Sequence, residues 1–202
     1  MSCSAKNDLQ LWTLKGEQLA RVDTYLMTTM KAKISPCARF VVASGFVGDV
    51  KIWEVFYDKA GQFKQISRAF ELSGHSSGVY DFAFGAGTSH IATVSKDGTW
   101  KLFDTNVNYA RGEIIQLLRT GSYTQASSPS IIALSPKADT VVIATHNWLE
   151  IFNAATGELT DTIENVFTDE VTGMQYDPTG KLLLVSGDKT IRVFLNLSCF
   201  SV

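Results

Sequence analysis

Five short segments of the chain share one pattern, in which apolar and polar residues alternate and the segment closes on an aromatic side chain. The closing residues are Trp12, Trp53, Phe103, Phe152 and Phe194. They follow one another at intervals of roughly 40 to 50 residues. A strand repeat with this period is typical of β-propellers, whose four-stranded blades are arranged around an axis. The repeat therefore predicts an all-β propeller.

Turn signals divide the chain into three complete and two partial blades. In the most regular repeat, Val79–Phe84 is predicted as the inner strand, Ile91–Val94 as the second and Thr99–Phe103 as the third. Asp97-Gly98 favours the tight turn between the last two, and an outer strand is expected near Glu113–Leu118. Together the five blades do not complete a ring. The predicted blades lie at residues 1–30 (partial, lacking its inner strand), 31–70, 79–119, 130–164 and 171–202 (partial).

Charge is distributed unevenly along the chain. The formal net charge is −2, but residues 1–70 carry ten basic and six acidic residues, whereas residues 71–202 carry eight and fourteen. Between Lys137 and Lys181 there are eight acidic residues and no basic one. This acidic tract indicates either a solvated rim or a face for a basic partner.

The cysteines and the apolar runs bear on the compartment. Cys3, Cys37 and Cys199 show neither paired nor metal-ligand spacing, which is typical of thiols in a reducing compartment. No apolar run approaches the roughly 20 residues needed to span a bilayer, and no signal-peptide pattern follows Met1. The chain as given is therefore expected to be soluble and cytoplasmic, without a metal or cofactor.

Three residues of the most regular repeat imitate a catalytic triad. His75, Ser95 and Asp97 lie close to one another along the chain. A Ser-His-Asp hydrolase also needs an exposed nucleophile and an oxyanion hole, and no Gly-x-Ser-x-Gly elbow surrounds Ser95. We therefore expect a structural role for these residues and no enzymatic activity.

The same repeat carries a family resemblance. Gly74-His75, then Asp97-Gly98, then Phe103-Asp104 at the end of the third predicted strand resemble a WD repeat. Arg68–Leu72 and Val94–Thr105 are similar to the C-terminal half of the transducin-beta-like proteins, within the WD-repeat β-propeller family. The resemblance implies a protein–protein interaction scaffold on the cytosolic face of the endoplasmic reticulum that binds a stress-sensing kinase of the unfolded-protein response. It also implies an N-terminal membrane anchor and further blades, which this chain is expected to lack.

The resemblance further implies a hydrogen-bond network inside the blade. In WD repeats the turn aspartate accepts a hydrogen bond from the histidine, which reaches a strand hydroxyl, which reaches a tryptophan of the third strand. Here we expect His75 to bridge Asp97 and Ser95. The network should stop at Ser95, because Phe103 replaces the tryptophan and has no N–H.

A partner surface is predicted where the longest connection, Asn106 to Ser130, lies beside the acidic tract. Propeller partners bind loops at the rim, so this connection and the tract are expected to form one surface for a basic segment of a protein partner. A solvated linker beside a solubilising rim remains the alternative. The residues assigned to the surface are Tyr123, Glu158, Asp161, Glu164, Asp169 and Glu170.

Two further questions stay open from the sequence. Trp100 and Trp148 alternate out of phase with the closing aromatic residues, so they either lie exposed at an interface or fill grooves between blades. The alternative function is an RNA- or ribosome-associated binding module, which the net charge does not support. Its candidate contacts are the basic residues of the N-terminal third, namely Lys31, Lys33, Arg39, Lys51, Lys59, Lys64 and Arg68.

Overall fold

The computed structural model describes residues 1–4 and 7–195, which form eighteen β-strands in five antiparallel sheets. Within each sheet, strands that follow one another in the chain are neighbours, so every sheet is a meander. The first strands of the second to fifth sheets contact one another in succession. The prediction of an all-β architecture of repeated blades is confirmed, and the described sheets do not close a ring.

The first two sheets are built from residues 2–72. The first has three strands, β1 (Ser2–Ser4), β2 (Asp8–Trp12) and β3 (Gln18–Asp23). The second has four, β4 (Thr29–Ile34), β5 (Phe40–Gly45), β6 (Val50–Tyr57) and β7 (Phe63–Leu72).

The third sheet differs from expectation only in its outer strand. It contains β8 (Val79–Phe84), β9 (His90–Ser95), β10 (Thr99–Asp104) and β11 (Gln116–Ser122). Two short 3-10 helices lie at Ala86–Thr88 and Tyr109–Arg111. Residues 113–115, which follow the second helix and were expected to begin the outer strand, belong to no strand. That strand therefore begins later than predicted and runs through residues that looked like loop.

The last two sheets complete the described part of the chain. The fourth comprises β12 (Ile131–Leu134), β13 (Thr140–Thr145), β14 (Trp148–Asn153) and β15 (Leu159–Ile163). The fifth comprises β16 (Gly173–Tyr176), β17 (Leu182–Gly187) and β18 (Thr190–Leu195).

The apolar core lies between the sheets and explains the repeated aromatic residue. Trp53 packs in a cluster shared by the first and second sheets, Phe103 in one shared by the second and third, and Phe152 in one shared by the third and fourth. Phe194 packs against the cluster between the fourth and fifth sheets. Each of these residues faces the preceding sheet. Trp12 has no preceding sheet among the described residues, and 38% of its surface is exposed.

Trp100 fills a groove between blades. It is fully buried, and its ring centroid lies 5.5 Å from that of Phe152 in the next sheet. The adjacent strand carries Gly121, where any Cβ would overlap the indole. A glycine is therefore required here by close approach. Trp148 is half-buried.

Candidate interaction surface

One end of the sheets, which we call the upper face, carries two kinds of connection. The connections between sheets lie at residues 24–28, 73–78, 123–130 and 164–172. The turns between the second and third strands of a sheet lie at residues 46–49, 96–98, 146–147 and 188–189. Hydrogen bonds join the two kinds, as where the Ser76 amide donates to Asp97 at 3.0 Å. The remaining turns lie at the opposite end, the lower face.

A buried network fixes the connection 73–78. The His75 Nδ1–H donates to the Asp97 carboxylate at 2.9 Å, which leaves Nε2 to accept from the Thr93 hydroxyl at 2.8 Å. The Thr99 hydroxyl donates to the same carboxylate at 2.6 Å. The His75 side chain is 1% exposed. Buried polar groups need such partners, and the network supplies them.

The expected contact between His75 and Ser95 is wrong. The imidazole reaches Thr93, which lies on the same face of β9 one pair of residues further from the turn. The Ser95 hydroxyl instead donates to the Gly78 carbonyl at 2.9 Å and accepts from the Asp97 amide at 3.1 Å. Ser95 therefore closes the turn. Phe103 lies in the apolar cluster between the second and third sheets, so the network does not extend to it.

The protonation states agree with a structural role. Burial lowers the pKa of His75, and the hydrogen bond to Asp97 only partly opposes this. Burial acts to raise the pKa of Asp97, but hydrogen bonds from Thr99, Ser76 and His75 lower it to about 2. At neutral pH the pair is a neutral imidazole and a carboxylate. The Ser95 hydroxyl, the supposed nucleophile, makes no hydrogen bond to this imidazole, so the three residues do not form a triad.

The connection 164–172 repeats this arrangement in exposed form. Asp188 accepts hydrogen bonds from the Thr168 amide and hydroxyl, both at 2.7 Å, and from the Asp169 amide at 3.1 Å. These bonds, with the Thr168 hydroxyl contributing most, lower the pKa of Asp188. Thr168 and Asp169 are exposed, whereas His75 at the matching position of the third sheet is buried.

Two buried side chains hold the exposed residues in place. Val166 and Phe167 are 1% and 3% exposed and pack in the cluster between the fourth and fifth sheets. Gly187 leaves room for the Phe167 ring, because a Cβ there would overlap it. The Val166 amide donates to the Asn147 carbonyl at 2.8 Å. The connection is thus anchored at its centre and presents carboxylates on both sides.

The predicted acidic surface is divided between two ends of the fold. Glu164, Asp169 and Glu170 are exposed on the upper face, and none of the three forms an ion pair within the described residues. Glu158 precedes β15 and Glu164 follows it, so the two lie about 20 Å apart, at about 3.3 Å per residue along a strand. Asp161 lies within that strand. Of the predicted surface, only Glu164, Asp169 and Glu170 remain on one connection. We call residues 164–170 the acidic loop.

Tyr123 is not a surface residue, contrary to prediction. It is 8% exposed, packs in the cluster between the third and fourth sheets, and donates its hydroxyl proton to the Ser95 carbonyl at 2.8 Å. The polar residues around it hid this role in the sequence. Glu150, which looked like a member of the acidic tract, is also buried and accepts hydrogen bonds from the Thr124 amide and hydroxyl at 2.9 and 2.6 Å.

The basic residues proposed for RNA binding do not form one face. Lys33 pairs with Asp81 at 3.0 Å, Arg39 with Glu54, and Arg68 with Glu71. Lys31 and Lys33 lie on the inner strand β4. The others lie on β6, on the outer strand β7 or in turns of the lower face, at Lys51, Lys59, Lys64, Arg68 and Arg39. The seven residues are therefore spread over the inner, third and outer strands and the lower face of the second sheet.

Residues 1–4 and 7–195 contain neither a cluster of metal ligands nor a membrane-spanning helix. Within that part of the chain, no group of three His, Cys, Asp or Glu side chains is arranged to hold a metal ion. The same residues include no helix with the length and apolar character needed to cross a membrane. Cys3 and Cys37 are exposed, and Cys199 lies outside the described residues.

Comparison with known proteins agrees with this architecture. The family described as WD domain, G-beta repeat matches residues 66–104 and 157–194. Transducin beta-like protein 2 of Homo sapiens is 40% identical over 198 residues, which cover 97% of this chain and 44% of the human protein. The Mus musculus protein of that name is 42% identical over 197 residues, covering 97% of this chain and 45% of its own length. The chain thus spans a little under half the length of these curated relatives. With its repeated blades and its histidine–aspartate network, the chain belongs to the WD40 repeat family.

Proposed function

We propose that this chain is a non-catalytic scaffold that binds a basic segment of a protein partner through the acidic loop. WD40 domains typically bind proteins. The observation that carries the proposal is the exposed loop that Asp188 and the buried Phe167 hold in a fixed shape, with Glu164, Asp169 and Glu170 free of ion pairs within the described residues. Because the acidic loop is already ordered, it binds a basic segment without the entropy cost of ordering the loop.

On resemblance alone, we extend the proposal to a cellular role. The resemblance of the sequence to the transducin-beta-like proteins implies an adaptor at the cytosolic face of the endoplasmic reticulum, with a stress-sensing kinase of the unfolded-protein response as its partner. Fractionation of cells tests the association with the membrane, and co-purification tests whether the kinase binds the chain. Recovery of the tagged chain away from the endoplasmic reticulum, with no kinase bound, would remove this part of the proposal.

The acidic loop is tested with a fluorescein-labelled ten-residue peptide in which lysines alternate with serines. We expect the double variant Asp169→Lys/Glu170→Lys to weaken binding at least tenfold and to flatten its dependence on salt, because opposite charges speed association and salt screens them. A peptide with glutamates in place of the lysines should not bind.

A matched control separates the loop from net charge. Glu17→Lys/Glu158→Lys makes the same change in net charge at two exposed positions in turns of the lower face. This control should bind the lysine peptide nearly as well as the unaltered chain. Equal loss in both double variants would mean that only total charge matters, and the acidic loop would be rejected as a site.

A further inference from the structure

The upper face carries an exposed apolar patch at the connection 24–28. Tyr25 and Met27 are 73% and 72% exposed, and Phe46 in the neighbouring turn is 44% exposed. The connection and the turn are in contact, because the Phe46 amide donates to the Thr28 carbonyl at 3.2 Å. We call Tyr25, Met27 and Phe46 the apolar patch. Large exposed apolar side chains that cluster in this way mark interaction sites.

The backbone of the patch is strained. Tyr25 has φ +51° and Met27 has φ +63°. A side chain in this left-handed region strains the backbone, and glycine or asparagine is the usual occupant. Two bulky residues therefore occupy positions that folding alone does not favour. Strain of this kind persists where surrounding structure enforces it, often at binding sites.

Buried neighbours enforce the strained shape. Leu26, between the two exposed residues, is fully buried in the cluster between the first and second sheets. The buried Thr24 hydroxyl pairs with that of Thr29 at 3.1 Å. The Lys51 amine donates to the Tyr25 carbonyl at 3.2 Å and lies 5.7 Å from the Tyr25 ring centroid. Burial of Leu26 turns its two neighbours outward, so the patch is ordered before any partner arrives.

Two glycines, Gly45 and Gly78, allow the turn that carries Phe46 to lie close to the connections on either side of it. A Cβ at Gly45 would overlap the Thr28 carbonyl and the Leu26 side chain, so the turn approaches the connection closely. A Cβ at Gly78 would lie 3.0 Å from the Phe46 Cα and 3.1 Å from its ring. Phe46 therefore sits against the connection 73–78 of the next sheet. The patch is continuous with the rest of the upper face.

We propose that the apolar patch binds an aromatic or aliphatic side chain of the same protein segment whose basic residues contact the acidic loop. The inference rests on the proposed function, since it adds a second contact on the same face. Charge indicates the occupant: the acidic loop selects a basic segment, whereas the charged residues next to the patch in the chain, Asp23, Asp49 and Lys51, leave a net charge of only −1. Tyr, Met and Phe are enriched at protein interfaces. The partner is thus a segment with an apolar anchor and a separate lysine or arginine cluster.

The test begins with selection of random twelve-residue peptides displayed on phage against the immobilised chain. Enriched peptides should combine an aromatic or aliphatic residue with several lysines or arginines. Their affinities are then measured for the unaltered chain and for Tyr25→Asn/Met27→Asn. Asparagine tolerates the left-handed backbone, so this variant removes the apolar contact while keeping the shape of the connection. We expect at least tenfold weaker binding with no fall in the melting temperature.

The control is Leu14→Asn, which removes from a turn of the lower face an apolar side chain that is even more exposed. It should leave affinity unchanged. If the peptides lose affinity for Asp169→Lys/Glu170→Lys but not for the asparagine variant, the apolar patch is rejected and the acidic loop stands. If neither variant weakens binding, or if no basic peptide is enriched, both proposals fail. A loss with Leu14→Asn as large as with the patch variant would also overturn the inference.

Discussion

The connections 73–78 and 164–172 lead into the third and the fifth sheet at equivalent places, and an aspartate of the facing turn holds each of them, yet the hydrogen-bond network is buried in one and exposed in the other. In each, an aspartate in the facing turn accepts an amide hydrogen bond from the connection: Asp97 from Ser76, and Asp188 from Thr168. Around Asp97 the device is completed by a buried histidine. Around Asp188 an exposed threonine takes that place and the loop displays acidic residues.

This difference shows that burial determines how much the turn aspartate contributes to the stability of the fold. A carboxylate that satisfies buried donors stabilises the fold, because its removal leaves those donors without partners. A carboxylate that accepts hydrogen bonds from exposed donors contributes little to stability, because water can bind those donors in its place. The first connection is therefore part of the core, and the second is a surface whose shape is set while its side chains remain available.

The largest expected effect comes from Asp97→Ala. The change removes the acceptor of His75, the Ser76 amide and the Thr99 hydroxyl. We expect the free energy of unfolding to fall by about 2 kcal/mol, measured by urea unfolding followed by fluorescence. A fall of less than about 0.5 kcal/mol is the size expected of a solvated surface contact. It would mean that the hydrogen bonds of Asp97 stabilise the fold no more than those of the exposed Asp188.

The next effect distinguishes the two hydroxyls of β9. Thr93→Val keeps the shape of a fully buried side chain but leaves His75 Nε2 without its donor. We expect a loss of about 1–2 kcal/mol. In combination with Asp97→Ala the two losses should not add, because both act on one imidazole. Strict additivity would contradict a shared network.

Ser95→Ala acts on the turn and not on the imidazole. Its effect on the free energy of unfolding should therefore be closer to additive with that of His75→Asn than the effect of Thr93→Val is.

Acidification provides a third comparison. His75 has a pKa below its usual 6.5 in the folded chain. The unfolded chain therefore binds a proton more readily than the folded chain does, so the stability from neutral His75 is present above pH 6.5 and is lost as the pH falls below it. Asp97, with a pKa of about 2 against a usual 3.8, loses its contribution only below pH 3.8.

The measurement is the free energy of unfolding at pH 7, 6 and 5 for the unaltered chain and for His75→Asn. The slope between pH 6.5 and 5 should be smaller in the variant. Identical slopes would show that the imidazole is not buried as described, whereas Asp188→Ala should leave this slope unchanged because Asp188 lies outside the buried network.

The sequence predicted the fold better than the surface, for physical reasons. The spacing of Trp53, Phe103 and Phe152 reflects packing of each blade on the preceding one, which a period in the chain records directly. Thr93 and Ser95 lie on one strand face, so alternation alone could not decide which reaches His75. Tyr123 looked exposed because its neighbours in the chain are polar, although its own ring is core.

Acidity along the chain was likewise a poor guide to position. Residues 158 and 164 are close in sequence but are separated by the length of β15. The role of Asp188 is visible in the sequence only once its turn is aligned in space with that of Asp97. The apolar patch gave no sequence signal at all, since its strained backbone is a property of the folded connection.

The smallest expected effect on stability is also the sharpest test, made by comparing Asp97→Ala and Asp188→Ala side by side. Urea unfolding and affinity for the lysine–serine peptide are measured on both variants. We predict that Asp188→Ala changes the free energy of unfolding by less than about 0.5 kcal/mol but weakens binding several-fold, because the acidic loop loses its fixed shape. Asp97→Ala should lower stability by about 2 kcal/mol and leave the affinity of the folded chain unchanged. Equal losses of stability in the two variants, or peptide binding that depends on Asp97 and not on Asp188, would contradict the division between a buried and a displayed connection.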